Sequence, residues 1–160
     1  MDKPARSAGG KQAVPRVVLD TNVCLDLFLF RDPRVVALEA ALQSGQVHAV
    51  TDAACREEWL RVLRYPQLAL DEAARARAVA AFDAIVECVP MGESEAALSP
   101  LPRCGDPDDQ KFLELARNAG AGWLVSRDDE LLRLGRRTRR DGLFDIIEPQ
   151  AWPPATERTG

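Results

Sequence analysis

Acidic side chains recur at four separated places in this 160-residue sequence, each beside a segment that predicts a strand or a helix. They are Asp20, Glu58, Asp109 and Asp128. Carboxylate oxygens without histidine or cysteine are the ligands that Mg²⁺ and Mn²⁺ prefer. An ion held by such a group can activate water and stabilise the charge of a displaced phosphate oxygen. If the fold brings these acids together, the sequence predicts a metal-dependent reaction at a phosphate ester.

Each acid also has an ordinary structural role open to it. Asp20 could cap the helix that follows it, and Asp128 could cap the short helix after it. The segment Asp106–Asp109 has the composition of a well-capped helix start. Glu58 could lie on a solvated helix face. The joint placement favours a metal site, because like charges gathered in one place repel unless a cation lies between them.

Short apolar runs alternate with helical periodicity along the chain, and this alternation predicts an α/β fold. Strands are predicted at residues 16–19, 47–50, 86–89, 123–126 and 145–147, and helices at 22–30, 32–45, 51–65, 71–85, 106–120 and 129–134. The segment 86–89 could equally continue the helix before it. We expect a three-layer α/β/α sandwich around a central, mainly parallel sheet.

The carboxyl ends of parallel strands meet at one edge of a sheet, where function collects. Asp20 directly follows the first predicted strand, and Asp128 comes just after the strand at 123–126. Asp109 lies at the start of the helix that leads into that strand, and Glu58 lies early in the helix after the second strand. The four acids are therefore predicted to converge on one rim.

Length and composition predict one domain over residues 15–150, with disordered tails at 1–14 and 151–160. The formal net charge of -4 argues against a protein that coats nucleic acid nonspecifically. It is compatible with a nuclease whose arginines are clustered away from its acids. Five arginines are clustered in this way, at positions 133, 136, 137, 139 and 140.

The cysteines and the single histidine predict no metal site of their own. Cys24, Cys55, Cys88 and Cys104 are widely spaced, which predicts buried free thiols in a reducing compartment. His48 is expected to pack in the middle of a strand. With one histidine, a two-histidine acid–base ribonuclease is excluded and a Ser-His-Asp triad is disfavoured.

The sequence also predicts a cytoplasmic protein that does not enter a membrane. Its first sixteen residues carry several charges and lack the apolar core of a signal peptide. The longest apolar stretch, residues 23–30, contains Asp26 and is too short to span a bilayer.

Four ordered segments resemble the signatures of the PIN-domain family. They are VVLDTN at 17–22, EWLRVLRYP at 58–66, DPDDQKFLELA at 106–116 and WLVSRDDELL at 123–132. The sequence looks most like the branch of toxin components in toxin–antitoxin systems that is related to the VapC toxins. The resemblance runs from about Arg16 to Pro149.

The resemblance implies an endoribonuclease that cuts single-stranded RNA with Mg²⁺ or Mn²⁺, using one ion or two, and leaves a 5′-phosphate and a 3′-hydroxyl. It also implies a frequent homodimer and a cognate antitoxin partner. By motif, the catalytic and metal-binding residues would be Asp20, Glu58, Asp109 and Asp128, and the supporting residues would be Asn22, Ser126 and Asp106.

Two positions depart from the family pattern. Gln110 stands where an asparagine is common, and Arg127 stands where a glycine is common before the last aspartate. Arg127 could contact the RNA backbone or could narrow the site. Together with Arg31, the arginines at 137, 139 and 140 (Arg137, Arg139 and Arg140) could hold flanking phosphates or could form an ordinary solvated charge run.

Two rival functions belong to other classes. A haloacid-dehalogenase-like phosphohydrolase would use Asp20 as a nucleophile, but it would want a second aspartate where this sequence has Asn22. A degenerate PIN domain would serve only as an RNA- or protein-binding module. The intact set of acids argues against that second rival.

Overall fold

A central sheet of five parallel strands organises the computed structural model, which describes residues 14–90 and 100–154. The strands are β1 (Arg16–Leu19), β2 (His48–Thr51), β3 (Val86–Cys88), β4 (Trp123–Val125) and β5 (Asp145–Ile147). Their order across the sheet is β3-β2-β1-β4-β5, and each neighbouring pair is parallel. The expected parallel sheet is confirmed.

Helices connect these strands. They are α1 (Thr21–Leu25), α2 (Val36–Ser44), α3 (Ala53–Val62), α4 (Glu72–Ile85), α5 (Gln110–Asn118), α6 (Asp129–Leu132) and α7 (Gly135–Arg140). A π-helical turn, Asp26–Phe30, continues α1, and short 3₁₀ turns occupy Pro33–Val35, Pro66–Leu68, Pro107–Asp109 and Pro149–Ala151.

The sheet is covered on both faces, as the three-layer prediction requires. Alternate residues of a strand point to opposite faces. Val17 of β1 packs in one core cluster with Trp59 of α3 and Phe82 of α4. Val18, its neighbour in β1, packs in a second cluster with Phe112 of α5. The two clusters are therefore the two interfaces between the sheet and its helical layers.

Several helix ends follow local signals in the sequence. The carboxylates of Asp52 and Asp71 accept hydrogen bonds from the amides of Cys55 and Ala74 at 2.9 and 2.7 Å, so each aspartate caps a helix. Gly45 ends α2 with a φ of +83°, a left-handed conformation that glycine adopts without steric cost.

Other boundaries differ from the prediction. Val86 leaves the helical region with φ -104° and ψ 121°, so β3 follows α4 without a loop and the alternative of one continuous helix is wrong. The arginine-rich segment after residue 134 forms α7, which was not predicted. The loop expected over 90–105 is irregular at Pro90 and at 100–105, while residues 91–99 lie outside the described residues.

Two further expectations need correction. His48, the first residue of β2, is exposed between the buried residues Val47 and Ala49, so its side chain does not pack in the core. Cys88 is exposed, whereas the other three cysteines are buried as expected. Residues 151–154 belong to the described part of the chain, and the ring of Trp152 packs against Trp123 with centroids 5.0 Å apart. The remainder of both predicted tails, residues 1–13 and 155–160, lies outside the described residues.

The strand order places a crevice beside the central strand. From β1 the chain adds β2 and β3 on one side and then crosses to add β4 and β5 on the other. The connections therefore diverge between the carboxyl ends of β1 and β4, which is where open α/β sheets place their binding sites. None of the helices within 14–90 and 100–154 combines the length and apolar content needed to cross a bilayer.

Candidate active site

Asp20 lies at the carboxyl end of β1, beside β4. Its amide donates to the carbonyl of Val125 at 3.1 Å, which extends the pairing of the two strands. Its Oδ1 accepts from the amide of Val23 at 3.0 Å, and its Oδ2 accepts from Oγ of Ser126 at 2.5 Å. Asp20 is 4% exposed. It therefore caps α1 and also carries a buried carboxyl group into the crevice.

Ser126 links this carboxyl group to the next acid. Its Oγ donates to Asp20 and accepts from the amide of Asp128 at 2.9 Å. The amide of Ser126 donates to Ile147 of β5 at 2.9 Å, and the residue is fully buried. One hydroxyl group thus fixes Asp128 relative to Asp20, which fits the supporting position predicted for Ser126.

The acids at 106–109 take different places on one short turn. Asp106 caps it, since Oδ1 accepts from the amide of Asp108 at 3.0 Å. Asp108 is exposed. Asp109 is half-buried, and the neighbouring carboxyl group of Asp128 raises its pKa. Asp109 is therefore the acid of this turn that joins the group at the sheet edge.

Gln110, one of the departures from the family pattern, holds the segment before this turn. Its Oε1 accepts from the amide of Cys104 at 2.8 Å, and its Nε2 donates to the carbonyl of Pro102 at 3.0 Å. Gln110 therefore has a structural role, and these two hydrogen bonds do not involve the carboxylates of the site.

A cavity of about 370 Å³ opens over these groups. Its lining includes all four predicted acids together with Asn22 and Asp106. The structure therefore brings the predicted residues to one concave site at the strand ends, with Ser126 buried beneath it.

Burial and mutual repulsion change the acidity of two of the acids. Burial, the adjacent carboxyl group of Asp128 and the other nearby carboxylates raise the pKa of Asp109 to about 7. Burial raises the pKa of Asp20 to about 6, although the hydrogen bond from Ser126 works in the opposite direction. Oδ2 of Asp128 is buried without a hydrogen-bond partner among the described residues. A positive charge placed beside these groups would stabilise their ionised forms.

Glu58 differs from Asp20 and Asp109 because a lysine side chain lies against its carboxylate. It accepts a hydrogen bond from Oγ1 of Thr21, and the ammonium group of Lys111 lies 2.5 Å from its Oε1. The Lys111 ammonium group also donates to the carbonyl of Asp108. A cation of the chain itself therefore already compensates the charge of Glu58.

Arg127 has a structural partner of its own. Its guanidinium group donates to both carboxylate oxygens of Asp26, at 2.7 and 3.3 Å. Asp26 is 2% exposed and lies in the π-helical turn after α1. This ion pair connects the end of β4 to that turn, and it leaves Arg127 near enough to Asp20 to lower its pKa slightly against the effect of burial.

The arginines of α7 lie outside the cavity that the acids line. Nε of Arg139 is 2.9 Å from Oδ1 of Asp145, the first residue of β5. This pair marks the amino-terminal edge of the sheet, whereas the acids lie at the carboxyl edge. Arg137 and Arg140 are exposed on the same short helix, and Arg140 pairs with Asp141 at 3.4 Å. The structure does not bring these three arginines into the acid-lined cavity.

Comparison with known proteins shows the family of this chain. A family model described as the PIN domain matches residues 16–130. This chain belongs to the PIN-domain family. A chain in the crystal structure of VapBC2 from Rickettsia felis, bound to a DNA fragment from the promoter, matches this PIN domain with a TM-score of 0.49 and 12% identity. The match covers 82% of this chain and 96% of that one. No curated protein sequence matches significantly.

The donor atoms of the PIN domain fit Mg²⁺ or Mn²⁺ in chemical type, since they are all carboxylate oxygens. The unpartnered oxygen of Asp128 and the raised pKa values of Asp20 and Asp109 fit a site that gains stability from a cation. Within residues 14–90 and 100–154, however, no three His, Cys, Asp or Glu side chains are gathered tightly enough to form a complete metal-binding group. Binding an ion would therefore require side chains other than that of Asp20, whose two oxygens are both held by hydrogen bonds, to turn toward it.

Sequence reasoning missed Thr21 and Lys111 as partners of Glu58, and it missed Asp26 as the partner of Arg127. Of these residues, Asp26 could have been singled out from the sequence, because it interrupts an apolar run and a buried carboxylate needs a partner. Lys111 and Thr21 are separated from Glu58 by 53 and 37 residues of chain, and no local pattern connects them.

The first prediction concerns the pH dependence of stability without metal. Because the pKa of Asp109 is about 7 when folded and near ~3.9 when unfolded, the folded state binds more protons between these values. The free energy of unfolding should therefore fall as pH rises from 5 to 8. Asp109→Asn cannot ionise, so in EDTA the melting temperature of wild type should fall by about 3 °C more than that of the variant over this range.

Asp108→Asn is the matched control, because Asp108 lies on the same turn with an exposed carboxylate. Its melting temperature should follow wild type across the pH range. Parallel curves for wild type and Asp109→Asn would contradict the raised pKa.

The second prediction concerns the pair of Arg127 with Asp26. Arg127→Gln leaves a buried carboxylate without its charge partner, which costs about 3–5 kcal/mol and lowers the melting temperature by about 10 °C. The double variant Asp26→Asn, Arg127→Gln should recover part of this loss. Arg133→Gln is the control, since its partner Glu130 is exposed and the change should cost less than about 1 kcal/mol. Equal effects of the two arginine substitutions would show that the buried pair is not important.

Proposed function

We propose that this PIN domain is a metal-dependent endoribonuclease for single-stranded RNA and the toxin of a toxin–antitoxin pair. The observation that carries the proposal is the group formed by Asp20, Asp109 and Asp128 at the point where the strand connections diverge. Charged groups that destabilise one another persist at functional sites, where a ligand relieves the strain. Family membership supports nuclease chemistry over simple phosphate binding.

Asp20, Asp109 and Asp128 would hold Mg²⁺ or Mn²⁺, with Glu58 completing the set. The ion supplies the positive charge that activates water and stabilises the displaced phosphate oxygen. Ser126 and the amide of Val23 orient the Asp20 carboxyl group, so that its position does not depend on the ligand.

Lys111 would have two roles. It holds Glu58 in place through their ion pair, and it provides a cation at the rim of a site that must admit a polyanion. Its side chain is 22% exposed, so its charge is only partly screened by water. This arrangement supports a substrate phosphate arriving at the same rim.

The toxin role, the antitoxin partner and the homodimer rest on the motif resemblance and stay predictions. The cytoplasmic location also stays a prediction, and it rests on the charged first sixteen residues and the short apolar runs of the sequence. A binding module without activity would not need the buried, mutually repelling carboxyl groups. Cleavage of RNA and binding of the metal ion can therefore be tested separately.

The third prediction is that purified protein cuts single-stranded RNA with Mn²⁺ or Mg²⁺ and that excess EDTA abolishes cleavage. Asp109→Asn should lose at least roughly a hundredfold in cleavage rate, the scale expected when a metal-site residue is lost. Asp108→Asn should retain activity within about tenfold, because its carboxylate is exposed and is not part of the cavity lining. The assay follows a labelled oligonucleotide on a denaturing gel. Cleavage that survives EDTA would overturn the metal mechanism, and equal losses in the two variants would overturn the assignment of Asp109.

The fourth prediction tests ion binding without RNA. An ion that binds only the folded state at tenfold saturation stabilises it by about 1.4 kcal/mol, which raises the melting temperature of wild type by about 2–5 °C. Asp20→Asn should lose most of this rise with Mn²⁺.

Asp52→Asn is the matched control for that experiment. Asp52 is a buried N-cap at the end of the neighbouring strand β2, but it does not line the cavity. Asparagine can replace aspartate in both caps. Asp52→Asn should keep the full response to Mn²⁺, and a full response in Asp20→Asn would contradict the proposed role of Asp20.

A further inference from the structure

The cavity that carries the acids has a second wall of different character. Leu25, Val62, Tyr65 and Leu68 also line it, together with Gln67. Neither a metal ion nor a phosphate group needs apolar surface. This wall is therefore available to another component of the substrate.

Tyr65 is the only tyrosine in the sequence, and it is unusually exposed for a large side chain at 44%. Three other large hydrophobic residues in the described chain are exposed, namely Val14, Phe30 and Val36, and none of them lines this cavity. Exposed aromatic surface beside a polar site is typical of a binding surface.

The backbone holds Tyr65 firmly at the end of α3. Its amide donates to the carbonyl of Val62 at 3.0 Å, and its carbonyl accepts from the amide of Leu68 at 3.0 Å. Pro66 follows directly and fixes its own φ near -65°. The backbone that carries the ring is therefore ordered at the cavity before any ligand binds, which reduces the entropy lost on binding.

A flat, exposed aromatic ring beside a phosphate site matches an unpaired nucleobase. Bases of a single strand can be splayed out to stack on aromatic side chains, whereas bases of a duplex already stack on one another. The Gln67 amide can donate and accept hydrogen bonds at a base edge. Building on the proposed function, we propose that Tyr65 and Gln67 form a subsite that binds one unpaired nucleobase next to the phosphate at the acid group.

Binding of labelled oligonucleotides tests this subsite by fluorescence anisotropy. The full-length Asp109→Asn protein serves as the non-cleaving background, with Mg²⁺ present. Adding Tyr65→Ala should raise the Kd for single-stranded RNA about tenfold, as expected for the loss of one stacked base. Tyr65→Phe keeps the ring and should bind within about twofold of the background protein. Phe30→Ala, an exposed aromatic residue outside the cavity, should have no effect.

A series of oligonucleotides with one abasic nucleotide at successive positions identifies the base itself. At one position the abasic change should weaken binding of the background protein about as much as Tyr65→Ala does, and it should have no further effect in that variant. Equal binding by Tyr65→Ala and its background would overturn the subsite. An equal loss of affinity for duplex RNA would also overturn it, as would loss at Tyr65 without any abasic effect, because that pattern indicates a contact with the backbone.

This experiment is independent of the cleavage test. If wild type cuts RNA with Mn²⁺ and Tyr65→Ala cuts with an unchanged KM, the nuclease proposal stands and the subsite is wrong. If the subsite exists, Tyr65→Ala should raise KM roughly tenfold and keep kcat within about threefold, because stacking is present before and during the reaction. If no RNA is cut but the binding series gives the expected pattern, the nuclease proposal fails and the base-binding subsite stands.

Discussion

The hydrogen bond from Ser126 to Asp20 joins the carboxyl ends of two adjacent strands, and the arrangement of the site depends on it. It places a buried carboxyl group of β1 against the chain that leaves β4, and the same hydroxyl group accepts from the amide of Asp128. The parallel pairing of β1 with β4 brings these residues together. A shift of one residue in this register would turn alternate side chains to the opposite face and would separate the acids.

Positively charged side chains compensate some of the acids near this hydrogen bond and leave others without full compensation. Lys111 compensates Glu58, and Arg127 compensates Asp26, which is buried and would otherwise be costly. For Asp20, the hydrogen bonds and the charge of Arg127 offset burial only in part, so that its pKa remains raised. Asp109 also has a raised pKa, beside a carboxylate whose second oxygen has no partner in the described chain. Stability is thus reduced at the place where a ligand of positive charge would restore it.

The cavity combines this electrostatic strain with a preformed apolar wall. The two sides match the proposed positions of a substrate phosphate and of an unpaired nucleobase. The sheet edge supplies Asp20 and Asp128, while α3 supplies Glu58 and the turn that follows α3 supplies Tyr65. Because one helix contributes to both walls, the distance between the charged and the apolar parts of the site is fixed by the fold.

The sequence by itself determined the alternation of strands and helices and the rim on which Asp20 and Asp109 lie, because burial periodicity and helix caps are local patterns. It could not determine the charge partners of the site, which are side chains far apart in the chain. Arg127 is 101 residues from Asp26, and only the packing of the π-helical turn against the end of β4 makes their pairing possible. Arg139 is a similar case. Its charge is evident in the sequence, but the direction of β5 decides that it lies at the edge of the sheet opposite to the acids. Side-chain charge is a property of the sequence, whereas the distance between charges, which sets their interaction energy, is a property of the tertiary structure.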